Sequence, residues 1–319
     1  MHYALKKIIL YCVVVVVILI ILLHPDRNAR RSYSYIAKEN ILNSLRHEIA
    51  NNFSSTALAE CDYYDVVHDE TTLPLSIADG DLIENHRIRE GGEYAPVECR
   101  PKFSTAIIVP YRDRAEQLRG FLVYMHMFLR RQLIHYRIYV VEQVDSRPFN
   151  RAKLMNIGAT AAMRAGYPCL VLHDVDLLPL KLENIYACTE VPRHMSYYLN
   201  FRFVLPYLNL FGGAVSISSK QFKTINGMSN KYFGWGGEDD DLYTRLEAHN
   251  IDITRFEPST SQYHMASHTS QQKGMSSDGL NSLKYTQVAT VLHPLFTHIM
   301  VDLYNTYVCI NPYIIIKGK

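Results

Sequence analysis

TAIIVP at residues 105–110 is a short apolar run that ends at a proline, a pattern typical of a buried strand. Residues 115–131 follow with apolar side chains at helical spacing, and YRIYVVE at 136–142 has the composition of a second strand. Residues 151–165 have the spacing of a second helix, and CLVLH at 169–173 is a third apolar run. This alternation predicts an α/β domain built on a largely parallel, doubly wound sheet.

Charged side chains follow the first and the third predicted strand directly. PYRDR occupies residues 110–114, and DVD occupies residues 174–176. Ligands of doubly wound sheets bind at the carboxyl ends of the strands, so we expect both segments at one ligand-binding edge. In an extended segment, Asp174 and Asp176 would point to opposite sides, so only one of them could ligate a metal ion directly.

FGWGGEDDD at residues 233–241 is the most unusual local sequence of the chain. It contains four consecutive carboxylates behind Trp235, the only tryptophan. Neighbouring acids repel one another, and glycines on both sides of a bulky ring are typical of a loop that moves over a ligand. If this stretch stood alone, a solvated acidic turn would be the simpler interpretation.

Three arginines are expected near the same edge of the sheet. Arg112 and Arg114 lie in the loop after the first strand, and Arg151 opens the second predicted helix. Guanidinium groups match phosphate oxygens, and a helix N-terminus also favours phosphate. Taken singly, each arginine is equally well explained by surface solubility.

A divalent metal site is a further hypothesis. Met265 and His268 lie three residues apart and could supply S and N ligands beside the carboxylate of Asp176. Imidazole and carboxylate suit Mn²⁺, whereas a thioether is an unusually soft ligand for it. From the residues alone, a core position for Met265 and an exposed His268 explain the pattern better.

The amino-terminal part of the chain has the pattern of a membrane anchor. Residues 8–23 carry no charge and would reach roughly 24 Å as a helix, which suits a thin membrane. Because no small-x-small cleavage site follows, a signal anchor is favoured over a cleaved signal peptide. A glycosylation sequon at Asn52 and few, widely spaced cysteines favour a type II protein in an oxidising lumen. We expect a cytoplasmic tail at 1–7, the anchor at 8–23, a luminal stem at 24–94 and the α/β domain at 95–319.

Composition argues against a nucleic-acid-binding protein. The formal net charge is only +2, so no strong field favours a polyanionic partner. The hydrophobic fraction of 48% is ample for a large core.

The order of several motifs resembles that of the β-1,4-galactosyltransferase family. The motifs are GGEYAPVEC (91–99), FNRAKLMNIG (149–158), DVDLLP (174–179), FGG (211–213), GWGGEDDDLYTRL (234–246), MASH (265–268) and SDGLNSL (277–283). The resemblance implies a GT-A fold, which is a Rossmann-like glycosyltransferase domain, and an inverting, Mn²⁺-dependent transfer from a UDP-sugar. It also implies a Golgi membrane location and a glycan acceptor that ends in β-linked N-acetylglucosamine.

The same resemblance implies roles for individual residues. Asp239 matches the family's catalytic base, and the implied metal ligands are Asp176, Met265 and His268. The implied donor site consists of Pro110, Tyr111, Arg112, Asp113, Arg114, Phe149, Asn150, Arg151, Val175, Asp176, Trp235 and His268. The implied acceptor site consists of Tyr207, Gly237, Glu238, Asp239 and Asp240. Like-charge proximity of Glu238 and Asp240 would raise the pKa of the base. The implied disulfides are Cys61–Cys99 and Cys169–Cys188.

Leu210 is the sharpest departure from the family pattern. Galactose-transferring relatives carry a tyrosine at this position, whereas relatives that transfer N-acetylgalactosamine carry a smaller aliphatic residue. Leucine would leave an apolar surface for an acetamide methyl group, so we expect UDP-GalNAc as the preferred donor. UDP-Gal is the alternative donor, with Leu210 as a neutral packing variant.

Other departures and classes of function stay open at this point. Asp113 adds a negative charge near the implied phosphates, and the stretch between His268 and Ser277 is short, which leaves room for an auxiliary protein partner. A catalytically inactive, luminal sugar-binding protein is the main alternative to an enzyme. A metal-dependent hydrolase lacks a second set of metal ligands.

Overall fold

The computed structural model describes residues 6–7, 11, 13–16, 35–51, 58–75, 87–196, 198–199, 207, 209–234, 236–265, 278–304 and 315–317. Within these residues the helices are α1 (Ile41–Ser44), α2 (Tyr64–His68), α3 (Ala115–Arg131), α4 (Arg151–Arg164), α5 (Ser219–Thr224) and α6 (Glu238–Ala248). The strands are β1 (Tyr35–Ile36), β2 (Glu93–Tyr94), β3 (Ser104–Tyr111), β4 (His135–Gln143), β5 (Cys169–His173), β6 (Leu177–Pro179), β7 (Arg193–His194), β8 (Tyr198–Leu199), β9 (Ala214–Ser218), β10 (Arg255–Phe256), β11 (Gln262–Met265), β12 (Thr286–Leu292), β13 (Thr297–Asp302) and β14 (Ile315–Lys317).

One large sheet organises the described part of the chain. Its strand order is β14-β12-β13-β4-β3-β5-β9-β7, with β2 paired to β4. β3 runs parallel to β4 and β5, and β13 runs parallel to β4, whereas β5–β9 and β12–β13 are antiparallel pairs. The prediction of a largely parallel sheet therefore holds for β13, β4, β3 and β5 at the centre, whereas β2, β7, β9 and the β12–β13 pair add antiparallel pairings that were not predicted. Parallel neighbours need a long crossover connection, which α3 and α4 provide at the centre of the sheet. Only a short turn joins β12 to β13, so these two strands pair antiparallel.

Alternate side chains of β3 enter two cores on opposite faces of the sheet. Ile107 and Val109 belong to the core that α3 covers, and Ala106 and Ile108 belong to the core under α4. Gly158 lets α4 approach closely, because a Cβ atom there would lie 2.5 Å from Ile108 Cγ2. This packing holds the first turn of α4 over the carboxyl ends of the central strands.

Part of the predicted stem packs into the first of these cores. Ile41 is fully buried there together with Leu45, and the side chain of Lys38 lies 3.1 Å from the buried carboxylate of Glu183. β1 also pairs in parallel with β10, next to Arg255. The boundary predicted at residue 94 thus separates segments that pack together.

A chain that begins at residue 60 is expected to be less stable than one that begins at residue 33. The shorter chain loses Ile41, Leu45 and the cation beside Glu183, and burying two such apolar side chains contributes about 3–6 kcal/mol. Urea unfolding of the two chains measures the difference in the free energy of unfolding. Equal midpoints and slopes for both chains would show that residues 35–51 add no stability.

Both disulfides implied by the resemblance are confirmed. Cys61 is bonded to Cys99, and Cys169 is bonded to Cys188. The first bond fastens part of the predicted stem to the start of the α/β domain, and the second fastens β5 to the chain that precedes β7.

The predicted anchor at 8–23 and the sequon at Asn52 lie largely or wholly outside the described residues. Among the residues that are described, no helix combines the length and the apolar character needed to cross a bilayer.

Candidate functional site

The candidate site forms where the first turns of α4 and α6 meet the turn after β5. Arg151, the first residue of α4, donates from Nε to Asp174 Oδ1 at 2.6 Å and from Nη1 to Glu238 Oε1 at 3.4 Å. Asp174 leads the turn between β5 and β6, and Glu238 is the first residue of α6. One largely buried guanidinium therefore joins three segments that are far apart in sequence.

The four consecutive acids form the first turn of α6, which the sequence analysis did not predict as a helix. Gly237 caps this helix with a φ of 92°, a left-handed conformation that glycine adopts readily. The positive end of the helix dipole stabilises the carboxylates and offsets their mutual repulsion. Asp241 accepts a hydrogen bond from Arg245 Nε at 2.6 Å within the helix, so this fourth acid has a structural partner.

Asp239, the candidate base, faces a backbone segment that leaves little room. A Cβ atom at Gly212 would lie 2.6 Å from Asp239 Oδ2, so a larger residue there would displace the Asp239 side chain. Burial raises the pKa of Asp239, the charge of Arg151 lowers it, and the neighbouring charge of Asp240 raises it again, with a net increase. The predicted direction of the shift is confirmed, but burial is its first cause, ahead of like-charge proximity.

Glu238 and Arg151 shift each other's pKa in opposite directions. Burial raises the pKa of Glu238, and the charge of Arg151 partly offsets this increase. Burial acts to lower the pKa of Arg151, but the charges of Asp174 and Glu238 raise it above its ordinary value. Arg151 therefore stays charged and compensates the acids around it.

Tyr207 lies on the implied acceptor side of the acidic turn. Its hydroxyl donates to Asp240 Oδ1 at 2.8 Å. Burial raises the pKa of Tyr207, and the charge of Asp239 raises it further, so the hydroxyl stays protonated and remains a donor. Asp240 is thereby oriented beside Asp239.

Strand pairing places the backbone of two of the three implied metal ligands close together. Met265 in β11 lies opposite Leu177 in β6, the residue that follows Asp176. Asp176 is nearly buried and accepts a hydrogen bond from Arg114 Nη1 at 3.2 Å, so its carboxylate already faces one cation. His268 lies outside the described residues, within which no three His, Cys, Asp or Glu side chains converge as a metal site.

Asp174 and Asp176 contact different arginines, and the segment between them is a turn, not the extended chain that was predicted. Residues 174–176 form a turn, with Leu177 N–H donating to Asp174 O at 3.3 Å. Asp174 contacts Arg151 and Asp176 contacts Arg114. Val175 between them is buried.

The first implied donor loop continues β3 at the same edge. Pro110 and Tyr111 are buried, and Tyr111 Oη accepts a hydrogen bond from Arg114 N–H at 3.3 Å. Asp113 is exposed and has a φ of 51°. Arg112 lies 5.3 Å from the centroid of the Phe149 ring.

Asn150, which the resemblance assigns to the donor site, also has a structural role. Its side chain caps α4 by accepting from Lys153 N–H at 2.9 Å, and it donates to Asn230 O at 2.7 Å. The neighbouring Phe149 O accepts from Gly234 N–H at 2.8 Å, next to Trp235, which lies outside the described residues.

The structure adds residues that the sequence analysis had not assigned to the site. Gly212 contacts the candidate base, and Asp174 shares Arg151 with Glu238. Asp278 accepts from Ser229 Oγ and from Asn230 N–H, both at 2.7 Å, and so holds the chain that leads to the acidic turn. The motifs FGG and SDGLNSL contained Gly212 and Asp278, but only the tertiary contacts reveal what these residues hold.

Comparisons with known proteins agree with this arrangement. Residues 70–189 match the model of the N-terminal region of glycosyl transferase group 7, and residues 193–269 match the model of the N-terminal domain of galactosyltransferase. Human β-1,4-galactosyltransferase 1 is 41% identical over 240 residues, and the bovine protein is 40% identical over 240 residues. Each match covers 69% of this chain, and the chain spans 60% of the human and 59% of the bovine relative.

Solved structures of a Drosophila relative show the same fold. The catalytic domain of β-1,4-galactosyltransferase 7 in complex with xylobiose is 30% identical, with a TM-score of 0.55, and the match covers 63% of this chain and 94% of that one. A mutant of the same enzyme in complex with manganese, UDP-Gal and xylobiose is 29% identical, with a TM-score of 0.54 and the same coverage. The described α/β domain therefore has the GT-A glycosyltransferase fold, and the chain belongs to the β-1,4-galactosyltransferase family.

Proposed function

We propose that this chain is an inverting glycosyltransferase that moves galactose from UDP-galactose to the 4-hydroxyl of a β-linked acceptor sugar. The observation that supports this most is the environment of Asp239. A largely buried carboxylate with a raised pKa lies close to the charge of Arg151, at the edge of the sheet where ligands bind.

The reaction that fits this site is a direct displacement. Asp239 takes the proton from the acceptor hydroxyl while that oxygen attacks the anomeric carbon on the face opposite the UDP leaving group. The configuration at that carbon inverts, and the proton ends on Asp239. The raised pKa makes this carboxylate a stronger base than an ordinary aspartate. The positive charge of Arg151 offsets the negative charges of the neighbouring acids. The hydroxyl of Tyr207 orients Asp240 toward the acceptor sugar.

Mn²⁺ fits the residues present on the donor side. Asp176 and Met265 would hold the ion, and we propose His268 as the third protein ligand. The nearly buried Asp176 carboxylate already accepts from a cationic group, which is the chemistry that a metal ligand needs. When bound, the ion supplies positive charge against the charge that develops on the departing diphosphate.

UDP-GalNAc is the second candidate donor, and Leu210 is the observation that favours it. The relatives support UDP-Gal better, since those named above are galactosyltransferases and one was solved with UDP-Gal. Leu210 lies two residues before Gly212, the residue against Asp239, and is half-buried. A leucine there is compatible with either sugar.

Leu210→Tyr is expected to lower the ratio of GalNAc transfer to Gal transfer by roughly tenfold, because a larger ring takes up the space of an acetamide group. The measurement is product formation from equal concentrations of UDP-Gal and UDP-GalNAc. Faster Gal transfer by the unsubstituted chain supports the main proposal, and faster GalNAc transfer replaces it with the second candidate. An unchanged ratio in Leu210→Tyr would show that residue 210 does not face the donor.

The acceptor and the cellular setting belong to the same proposal. We propose a glycan ending in β-linked N-acetylglucosamine as acceptor, although the Drosophila structures hold xylobiose. We also propose a type II protein of the Golgi membrane with its α/β domain in the lumen, acting alone or with an auxiliary protein partner. A binding-only protein would have no need for a buried base with a raised pKa, so we favour an enzyme.

A further inference from the structure

Two arginines are fully buried among the described residues, Arg193 and Arg255. Burying a guanidinium is costly unless its donors are satisfied, so the atoms that accept from each one indicate its role. Arg193 donates to Asn184 Oδ1 at 2.7 Å and to the carbonyl oxygens of Ile185 and Ala187. These contacts fasten a core loop and do not reach the candidate site.

Arg255 in β10 instead holds the segment that carries Leu210. Its Nη2 donates to Leu210 O at 2.8 Å, and its Nε donates to His194 Nδ1 at 3.1 Å. Because Nδ1 accepts, the proton of the neutral imidazole lies on Nε2, and His194 also has a hydrogen bond to the backbone of Gly212. Burial, and then the charge of Arg255, lower the pKa of His194 well below its ordinary value, which preserves this neutral form.

The held segment is the one that lies against the candidate base. A Cβ atom added to Gly212 would lie 2.6 Å from Asp239 Oδ2, so the backbone of Gly212 lies directly beside that side chain. The carbonyl oxygen of Gly212 also accepts a hydrogen bond from Ser196 Oγ at 3.2 Å. Because Gly212 lies directly beside the Asp239 side chain, residues 210–212 connect the candidate base with the residue proposed to face the donor sugar.

We propose that Arg255 is a positioning residue of the transfer reaction. It holds Leu210 directly and Gly212 through His194, and thereby fixes the distance between the donor-facing residue and Asp239. This inference rests on the proposed function, because that function makes Asp239 the base and Leu210 a donor-facing residue.

Arg255→Lys in the full-length chain tests the proposal, with Arg193→Lys as the matched control. Lysine keeps the charge but has one nitrogen in place of the separate Nη2 and Nε donors, so it cannot reproduce the geometry of both hydrogen bonds. We expect Arg255→Lys to lower kcat by roughly 10- to 100-fold, the effect of a small misplacement, and to change the ratio of Gal to GalNAc transfer. Arg193→Lys should lower stability to urea without changing that ratio. The same change of ratio in both variants would overturn the proposal.

Hydrogen exchange of the amides of residues 209–213 separates this inference from the proposed function. Faster exchange in Arg255→Lys, but not in Arg193→Lys, supports the positioning role. If the unsubstituted chain transfers no sugar, that separate result rejects the proposed function and leaves the exchange result standing. Unchanged exchange in Arg255→Lys rejects the positioning role alone. If Arg255→Lys does not fold, His194→Phe removes the link to Gly212 and is expected to change the same exchange and the same donor ratio; no change in either would overturn the proposal.

Discussion

Asp239→Asn is expected to lower kcat for sugar transfer by about 10²- to 10⁴-fold, the range that a general base contributes. Asparagine has nearly the same shape, and its amide oxygen can still accept the hydrogen bond that Asp240 N–H donates to Asp239 Oδ1 at 2.9 Å. It cannot take a proton from the acceptor hydroxyl. The measurement is the initial rate at saturating donor and acceptor, which isolates kcat from binding.

Asp240→Asn is the matched control, one residue further along α6. Its amide oxygen can still accept from the Tyr207 hydroxyl, which now donates at 2.8 Å. We expect a higher KM for the acceptor and a kcat within roughly threefold of the original, since binding rather than proton transfer is altered. Equal losses of kcat in both variants would mean that the acidic turn acts as a whole and that Asp239 is not the base.

Arg151→Gln is expected to reduce both stability and activity. It leaves Asp174 and the buried Glu238 without the guanidinium that joins them, and because the cluster is partly exposed the cost is at most the roughly 3–5 kcal/mol of breaking a fully buried ion pair. Arg151 also lowers the pKa of Asp239, so its loss raises that pKa. Because the base acts when it is deprotonated, the acidic limb of the profile of kcat against pH moves to higher pH.

The pH dependence of this stability loss has a definite sign. Burial raises the folded-state pKa values of Glu238 and Asp239. As the pH falls, both acids therefore become protonated at a higher pH in the folded chain than in the unfolded chain. The destabilisation by Arg151→Gln should therefore be larger at neutral pH than in mildly acidic buffer, as urea unfolding would show. Arg151→Gln combined with Glu238→Gln should regain part of the lost stability. A double variant less stable than Arg151→Gln would contradict this account of the pair.

The alternation of strand and helix patterns was enough to predict the centre of the fold. The predicted ranges 115–131 and 169–173 coincide with α3 and β5, and the predicted helix at 151–165 exceeds α4 by one residue. These elements are predictable because their apolar side chains repeat with the period of the structure they form. The antiparallel flanks were not predicted, since they depend on which strands become neighbours.

The candidate site was harder to predict than the sheet. α6 was missed because its start resembles a glycine-rich acidic loop, although Leu242 and Leu246 have helical spacing and acids suit the first turn of a helix. The ion pair of Arg151 with Asp174 and Glu238 links residues up to 87 positions apart, and nothing local in the sequence marks it. The motif resemblance supplied Asp239, but its burial and the close approach of Gly212 follow only from the packing.

The most direct test of the account is the product that the full-length chain forms from UDP-galactose, Mn²⁺ and an acceptor ending in β-linked N-acetylglucosamine. The anomeric proton signals in NMR spectra report both the linkage and the configuration of the transferred sugar. The account predicts galactose in β-1,4 linkage, formed with Mn²⁺ and not after chelation of the metal. An α-linked product, or release of free galactose without transfer, would contradict it.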